Sequence, residues 1–294
     1  MRDEFPEPSR PTQSQEWVGW CCSYCSGPLV RRGSGLLCRE EERWFATRRG
    51  VHLLLPEARR RSLRAFREIL RRTERPAVRR AGEEERRSRL VAEGLRKAQE
   101  SLGAGPWYVL AAGGDSVARS LSADHRVVVV SSRLADTGGA PAADPEGGFP
   151  RAEAELDEIP LEPGRVDLVV AEASLHDGPS LSRGLVELRR VVRRGGALVA
   201  LDSPVFRRRA DGEAGIVQAM REERALVGMA VPRESRPGYL VRADLAEQFR
   251  DAGWSVEVLG WPGPVRERAE DLLRLCRGAR PAPRFPVLFA RRDG

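Results

Sequence analysis

Residues 166–202, VDLVVAEASLHDGPSLSRGLVELRRVVRRGGALVALD, constrain this chain more than any other stretch. Val166 to Val170 is a short apolar run broken only by Asp167, the pattern of a strand covered on both faces. Leu181, Leu185, Leu188 and Val192 then recur at helical spacing. Ser180 stands where its hydroxyl can cap that helix, and Arg189, Arg190, Arg193 and Arg194 gather at its negative end. Gly195 and Gly196 are expected to stop the helix, because glycine takes the left-handed conformation a stop requires. Ala197 to Leu201 reads as a second buried strand. A strand–helix–strand unit of this size implies a right-handed crossover and a parallel sheet.

The alternation extends in both directions. Trp107 to Ala111 reads as a first strand, Val117 to Leu121 as the start of its helix, and Val127 to Val130 as a second strand. Glu155 to Leu161 contains a short third strand or its exit. Residues 205–238 look like a helical insertion anchored by Ile216, Met220 and Leu226. Tyr239 to Val241, a helix over Asp244 to Ala252 stopped by Gly253, and Val256 to Leu259 add a further pair, and Phe285 to Phe289 can close the sheet. Residues 135–150 have no buried periodicity and read as loop. Upstream, residues 57–103 are helical in composition. Leu63, Phe66 and Leu70 form one stripe, Leu90, Leu95, Ala98 and Leu102 another, and Pro76 lies between them.

With 294 residues the chain can bury one large core and a small one. The sequence divides into a flexible lead (1–16), a small β-rich module (17–56), a helical linker (57–104) and a large α/β unit (105–294). No run approaches the roughly 18 apolar residues of a membrane span, and the opening residues lack the apolar centre of a secretory signal, so the cytoplasm is the expected compartment. The formal charge of +7 invites a nucleic-acid reading. Lys97 is the only lysine, however, and asparagine is absent. A GC-rich coding sequence explains that bias more simply, and nucleic acid is not the favoured partner.

Four of the five cysteines fall within residues 21–38. Such a cluster, without the even spacing of a disulfide framework, reads first as a metal site. Cys276 stands apart and reads as a small core residue.

Asp167-Leu-Val-Val170, Ser174-Leu-His176, the Arg-Arg-Gly-Gly turn and Leu201-Asp-Ser-Pro204 together resemble the middle of a class I S-adenosylmethionine-dependent methyltransferase. The chain is similar in particular to bacterial members with a zinc-ribbon-like head. The resemblance implies a Rossmann-like, doubly wound α/β domain behind a small N-terminal module, with methyl transfer from S-adenosylmethionine to an acceptor that is a small molecule, an RNA or a protein. The family opens its first strand into an acidic-x-Gly-x-Gly-x-Gly turn. Here that turn is Ala111-Ala-Gly113-Gly114-Asp115-Ser116, with two glycines, and Asp115 is the acid available to substitute. The acid that grips the ribose after strand two is replaced by Ser131. Glu155 or Asp157 falls where the family contacts the adenine amino group. Glu172 holds a position that is often asparagine, and His176 is the candidate for substrate contact or base chemistry. In the head the family's metal ligands fall on Cys22, Cys25, Cys38 and Glu41, with Cys21 as a possible stand-in. The resemblance also leaves room for a second reading, a partner subunit whose cofactor loop has decayed. Nothing in the sequence speaks to oligomeric state.

Overall fold

The computed structural model describes residues 18–48, 50–60, 81–114, 116–132, 149–227, 238–276 and 282–294. The lead, the stripe at Leu63, Phe66 and Leu70 with Pro76, most of the 135–150 loop, and Asp115 lie outside the described residues.

Among the described residues the main sheet has nine strands. In chain order they are β4 (Thr47–Arg48), β5 (Val51–Leu53), β6 (Tyr108–Gly113), β7 (Arg126–Val130), β8 (Arg151–Glu153), β9 (Val166–Glu172), β10 (Val192–Leu201), β13 (Trp254–Leu259) and β14 (Val287–Arg292). Their spatial order is β13-β14-β10-β9-β6-β7-β8-β5-β4. The run from β10 to β5 is parallel throughout, while β14 is antiparallel to both of its neighbours. The chain leaves β6 toward β7 and β8, then returns to the other side of β6 for β9 and β10. That reversal opens a crevice at the carboxyl ends of β6 and β9, where open α/β sheets bind ligands.

The central strands are apolar on both faces because both faces are covered. Leu110, Val169 and Leu198 pack on one side with Leu185 and Leu188 of helix α3 (Leu181–Val191) and Phe249 of α5 (Arg242–Asp251). Val109, Val170 and Val199 pack on the other with Val91 and Ala98 of α1 (Ala81–Leu102) and Val117 of α2 (Ser116–Leu121). Helix α1 rides close on the sheet. A Cβ on Gly94 would stand 3.2 Å from methyls of both Val199 and Val287. Helices α4 (Arg209–Val227) and α6 (Pro264–Cys276) flank the carboxyl edge, and a short parallel pair, β11 (Val205–Phe206) with β12 (Leu240–Val241), brackets α4.

The N-terminal residues do not stand apart. β1 (Leu29–Arg32), β2 (Gly35–Cys38) and β3 (Arg43–Phe45) form a separate three-stranded sheet, but β5 joins the main sheet beside β8. Val18, Trp20, Leu36 and Leu54 belong to the same apolar cluster as Leu110 and Leu198. The buried Tyr108 hydroxyl donates to the Val18 carbonyl at 2.7 Å.

One expectation about the elements needs correction. Gly195-Gly196 does not stop the helix, which ends at Val191 with Val192 already extended. The double glycine sits inside β10, where the register with β9 slips between Val192 and Ala197 and Gly195 takes φ +72°. A bulge and a helix stop both need left-handed backbone, so glycine signals either one. The third strand is β8, and Glu155 to Leu161 is its exit, the second of the two alternatives read from the sequence, and forms a strap. Trp20 bridges to Leu161, and the Cys21 N–H donates to the Pro160 carbonyl at 3.0 Å.

Candidate functional site

A cavity of about 1070 Å³ opens at the carboxyl ends of β6, β7 and β9. Gly113, Gly114, Ser131, Glu155 and Glu172 all lie on its wall, so the fold brings five of the residues expected to hold a cofactor to one place.

Gly113 has φ +90° and carries the chain off β6 directly against β9. A Cβ there would meet the Glu172 carbonyl at 2.1 Å, and one on Gly114 would meet the Glu172 carboxyl carbon at 2.7 Å. Gly113 is therefore required by close approach to backbone, whereas at Gly114 the Glu172 side chain would have to move aside. The Gly114 N–H donates to the Glu172 carbonyl at 3.2 Å. The Glu172 side chain crosses in front of this turn and accepts from the Ser116 N–H at 3.1 Å and from the Ser116 hydroxyl at 2.5 Å. The carboxylate of Glu172, from β9, thus holds Ser116 at the start of α2.

Arg87 of α1 completes this corner. It donates to Glu172 at 3.0 Å and grips Asp202, at the end of β10, through its Nε at 2.9 Å and its Nη2 at 2.8 Å. Burial works against the guanidinium charge, but Asp202, Glu172 and Glu84 outweigh it and hold the Arg87 pKa above its usual value. One cation thus faces Glu172 and Asp202, and a cationic group fits this end of the cavity better than an anion. Ala173 and Asp202 adopt φ +51° and +58°, a left-handed conformation that non-glycine residues hold only where the surroundings impose it. Both lie on the cavity wall. Trp261, Phe285 and Pro286 give the opposite side an apolar surface.

Ser131 is buried at the end of β7, its backbone paired with Ala152 and Ala154. Glu155 is buried and ion-paired to Arg59. Asp157, the alternative adenine contact, is not on the cavity wall and pairs with Arg183 at 3.5 Å. His176 is not on the wall either, although its neighbours Ser174 and Asp177 are. Its Nδ1 shares a hydrogen bond with the Ser203 hydroxyl at 3.1 Å. Arg87 and Asp202 carry no motif. Their part in the site comes from the convergence of α1 and β10, and an arginine on a helix with many arginines gives no signal by itself.

In the head, the sulfurs of Cys22, Cys25 and Cys38 lie within 4.8 Å of one another. Cys25 and Cys38 are 3.5 Å apart, close to the roughly 3.8 Å between two thiolates bound 2.3 Å from a tetrahedral zinc ion. Each sulfur also receives a backbone N–H at 3.4 Å, from Tyr24, Gly27 and Glu41. These residues fit three-thiolate coordination. The Glu41 carboxylate is not brought to the cluster, since its residue is exposed and contributes only that N–H. Glu40 is the nearer acid. It hydrogen-bonds Cys25, and a Cβ on Gly27 would stand 2.5 Å from its carboxylate oxygen. Cys21 points elsewhere, toward the Gly19 carbonyl. Cys276 is exposed and is not the core residue expected.

Comparison with known proteins agrees with the architecture. Residues 110–200 match the family model described as a methyltransferase domain. YcgJ of Bacillus subtilis superposes with a TM-score of 0.50 at 12% identity, over 70% of this chain and 99% of that one. BH2331 of Bacillus halodurans gives 0.47 at 14% identity, over 69% and 99%. An S-adenosylmethionine-dependent methyltransferase from Mesorhizobium loti gives 0.41 at 16%, over 68% and 98%. A search of curated protein sequences returns no match. The chain has the fold of the class I S-adenosylmethionine-dependent methyltransferases. Among the described residues no helix is long and apolar enough to cross a membrane.

Proposed function

We propose that this protein is an S-adenosylmethionine-dependent methyltransferase. The observation that carries this reading is the open cavity at the switch point, walled by Gly113, Gly114, Ser131, Glu155 and Glu172. S-adenosylmethionine, when bound, supplies a methyl group already activated by its sulfonium. The chain's own residues need only bind and orient, since placing two reactants in line provides much of the rate. Gly113 and Gly114 let the backbone approach the ligand. Ser131 offers the ribose a neutral hydrogen bond where the family has an acid, and Glu155 accepts from the adenine amino group. Glu172 and Asp202 face the ammonium end of the methionine part. His176 acts on the acceptor side, oriented by Ser203. The acceptor, a small molecule, RNA or protein, approaches past the apolar wall at Trp261 and Phe285. Residues 17–56 form the head and residues 105–294 the catalytic unit, in a cytoplasmic protein. The head holds one structural zinc ion through Cys22, Cys25 and Cys38, with the Glu40 carboxylate as the fourth ligand.

Calorimetric titration of the full chain tests the reading. Saturable binding of S-adenosylmethionine and S-adenosylhomocysteine at micromolar concentration is the expected outcome. One observation favours a second reading. Glu172 already caps Ser116 and pairs with Arg87 across the turn, as a catalytically inactive partner subunit with a shut cofactor loop would require. Absence of heat at millimolar ligand decides for that reading. Elemental analysis of the same sample should give one zinc per chain, lost in Cys38→Ser.

A further inference from the structure

The strap from Ala154 to Leu161 carries one wall of the cavity, and other parts of the chain clamp it from outside. Helix α3 holds one end. Arg190 donates to the carbonyls of Ile159 and Leu161 at 2.7 and 2.8 Å, and Glu187 accepts from the Ile159 N–H at 2.8 Å. The N-terminal segment holds that end as well, and it also holds the other. Trp20 and Cys21 pair with Leu161 and Pro160. Arg60, fixed by the Leu53 and Leu55 carbonyls at 3.1 Å, lies 3.2 Å from the fully buried Glu153. Its neighbour Arg59 reaches Glu155 itself, with Nε donating to Oε2.

Glu155 sits in acidic company. Burial first, then Asp157, Glu155 and Glu187, push the Glu158 pKa above the usual carboxylate range, and Arg59 works against them. The Arg59 guanidinium offsets the repulsion this group exerts on the Glu155 carboxylate and fixes that carboxylate at the cavity wall. An ionised carboxylate only accepts hydrogen bonds. Held in place, it accepts from a 6-amino purine and opposes the oxygen of a 6-oxo purine.

We propose that Arg59, outside the matched methyltransferase domain, is a positioning residue for the nucleobase: by fixing Glu155 as an acceptor it gives the cavity its preference for adenine over hypoxanthine. This rests on the reading that the cavity takes a nucleoside of the S-adenosylmethionine type. It also makes the N-terminal segment part of the cofactor site. Without Arg59 the carboxylate is free to turn away from Asp157 and Glu158, and the base loses its discriminating acceptor.

The test is calorimetry on the full chain with S-adenosylhomocysteine and its hypoxanthine counterpart, S-inosylhomocysteine. Wild type should prefer the adenine ligand by about tenfold or more, the scale of one charged hydrogen bond. In Arg59→Leu the preference should fall to within about threefold of parity, and Arg59→Lys, which keeps the charge, should restore most of it. Glu155→Gln provides an isosteric second variant. Its amide can donate or accept, so it too should bind both bases about equally. A merely structural arginine would weaken both ligands alike. Arg59→Leu that keeps the tenfold preference, or loses affinity for both bases equally, overturns the inference. Wild-type protein that binds neither ligand overturns the cavity reading and this inference with it, and that failure is recognised before any variant is made.

Discussion

Gly113 and Glu172 make the turn after β6 a contact between two strands. Because the Glu172 carbonyl stands where a Gly113 Cβ would be, Gly113→Ala forces β6 and β9 apart. Chemical denaturation should show a loss of about 3 kcal/mol or more. Gly164 provides the control. It also has positive φ, but no atom lies within 4 Å of its Cβ position, so Gly164→Ala should cost only about 1 kcal/mol, the backbone term alone. At this scale the sequence reveals residues that belong to patterns. Glycines after a strand and cysteines in a cluster are visible because their spacing is local. Arg87 and Asp202 are 115 positions apart and meet only because α1 lies across the carboxyl edge of the sheet. The position of His176 was visible too, but its orientation toward Ser203 was not, since a loop side chain is turned by its neighbours in space.

Single elements were legible where burial is two-sided. β9 and β10 announce themselves as apolar runs, and α3 by its stripe and its Ser180 cap, which accepts from the Arg183 N–H. β8 did not, because three residues are too short to carry a period. The position of β5 was likewise hidden. His52 on that strand is buried beside Trp20, and its Nδ1 shares a 2.8 Å hydrogen bond with Thr47. Burial, with the charge of Arg31 added, lowers its pKa to about 4. The folded chain therefore keeps His52 neutral where the unfolded chain protonates. Between pH 6.5 and about 4 the unfolded state binds the extra proton, so stability rises with pH across that window and is lost on acidification. Up to about 3 kcal/mol is at stake. Thermal midpoints measured from pH 7 to 4 should fall less steeply in His52→Gln than in wild type.

The whole molecule is tied together through the sheet. β5 covers the edge of β8, Val18 receives the Tyr108 hydroxyl, Arg59 pairs with Glu155 on the cavity wall, and Arg60 pairs with the buried Glu153. A chain lacking residues 1–56 would expose the β8 edge and the apolar residues beneath the head. It should self-associate, and sedimentation velocity should show species larger than the full-length protein forms at the same concentration. Wild-type unfolding should remain a single transition, because no layer of weak contacts separates the head from the sheet.

The amino-acid sequence alone determined that the chain alternates strands and helices around a parallel sheet, that residues 155–204 resemble the middle of a methyltransferase, and that four cysteines cluster in the head. Those properties are written in local spacing: period, caps, glycine stops and cysteine intervals. Only the tertiary structure decided that the head's last strand enters the main sheet, that Glu172 closes on Ser116 and Arg87, and that Glu40 lies closer to the thiols than Glu41. Each of these depends on residues distant in sequence sharing one small volume, where charge and steric exclusion act through space and leave no periodic trace along the chain.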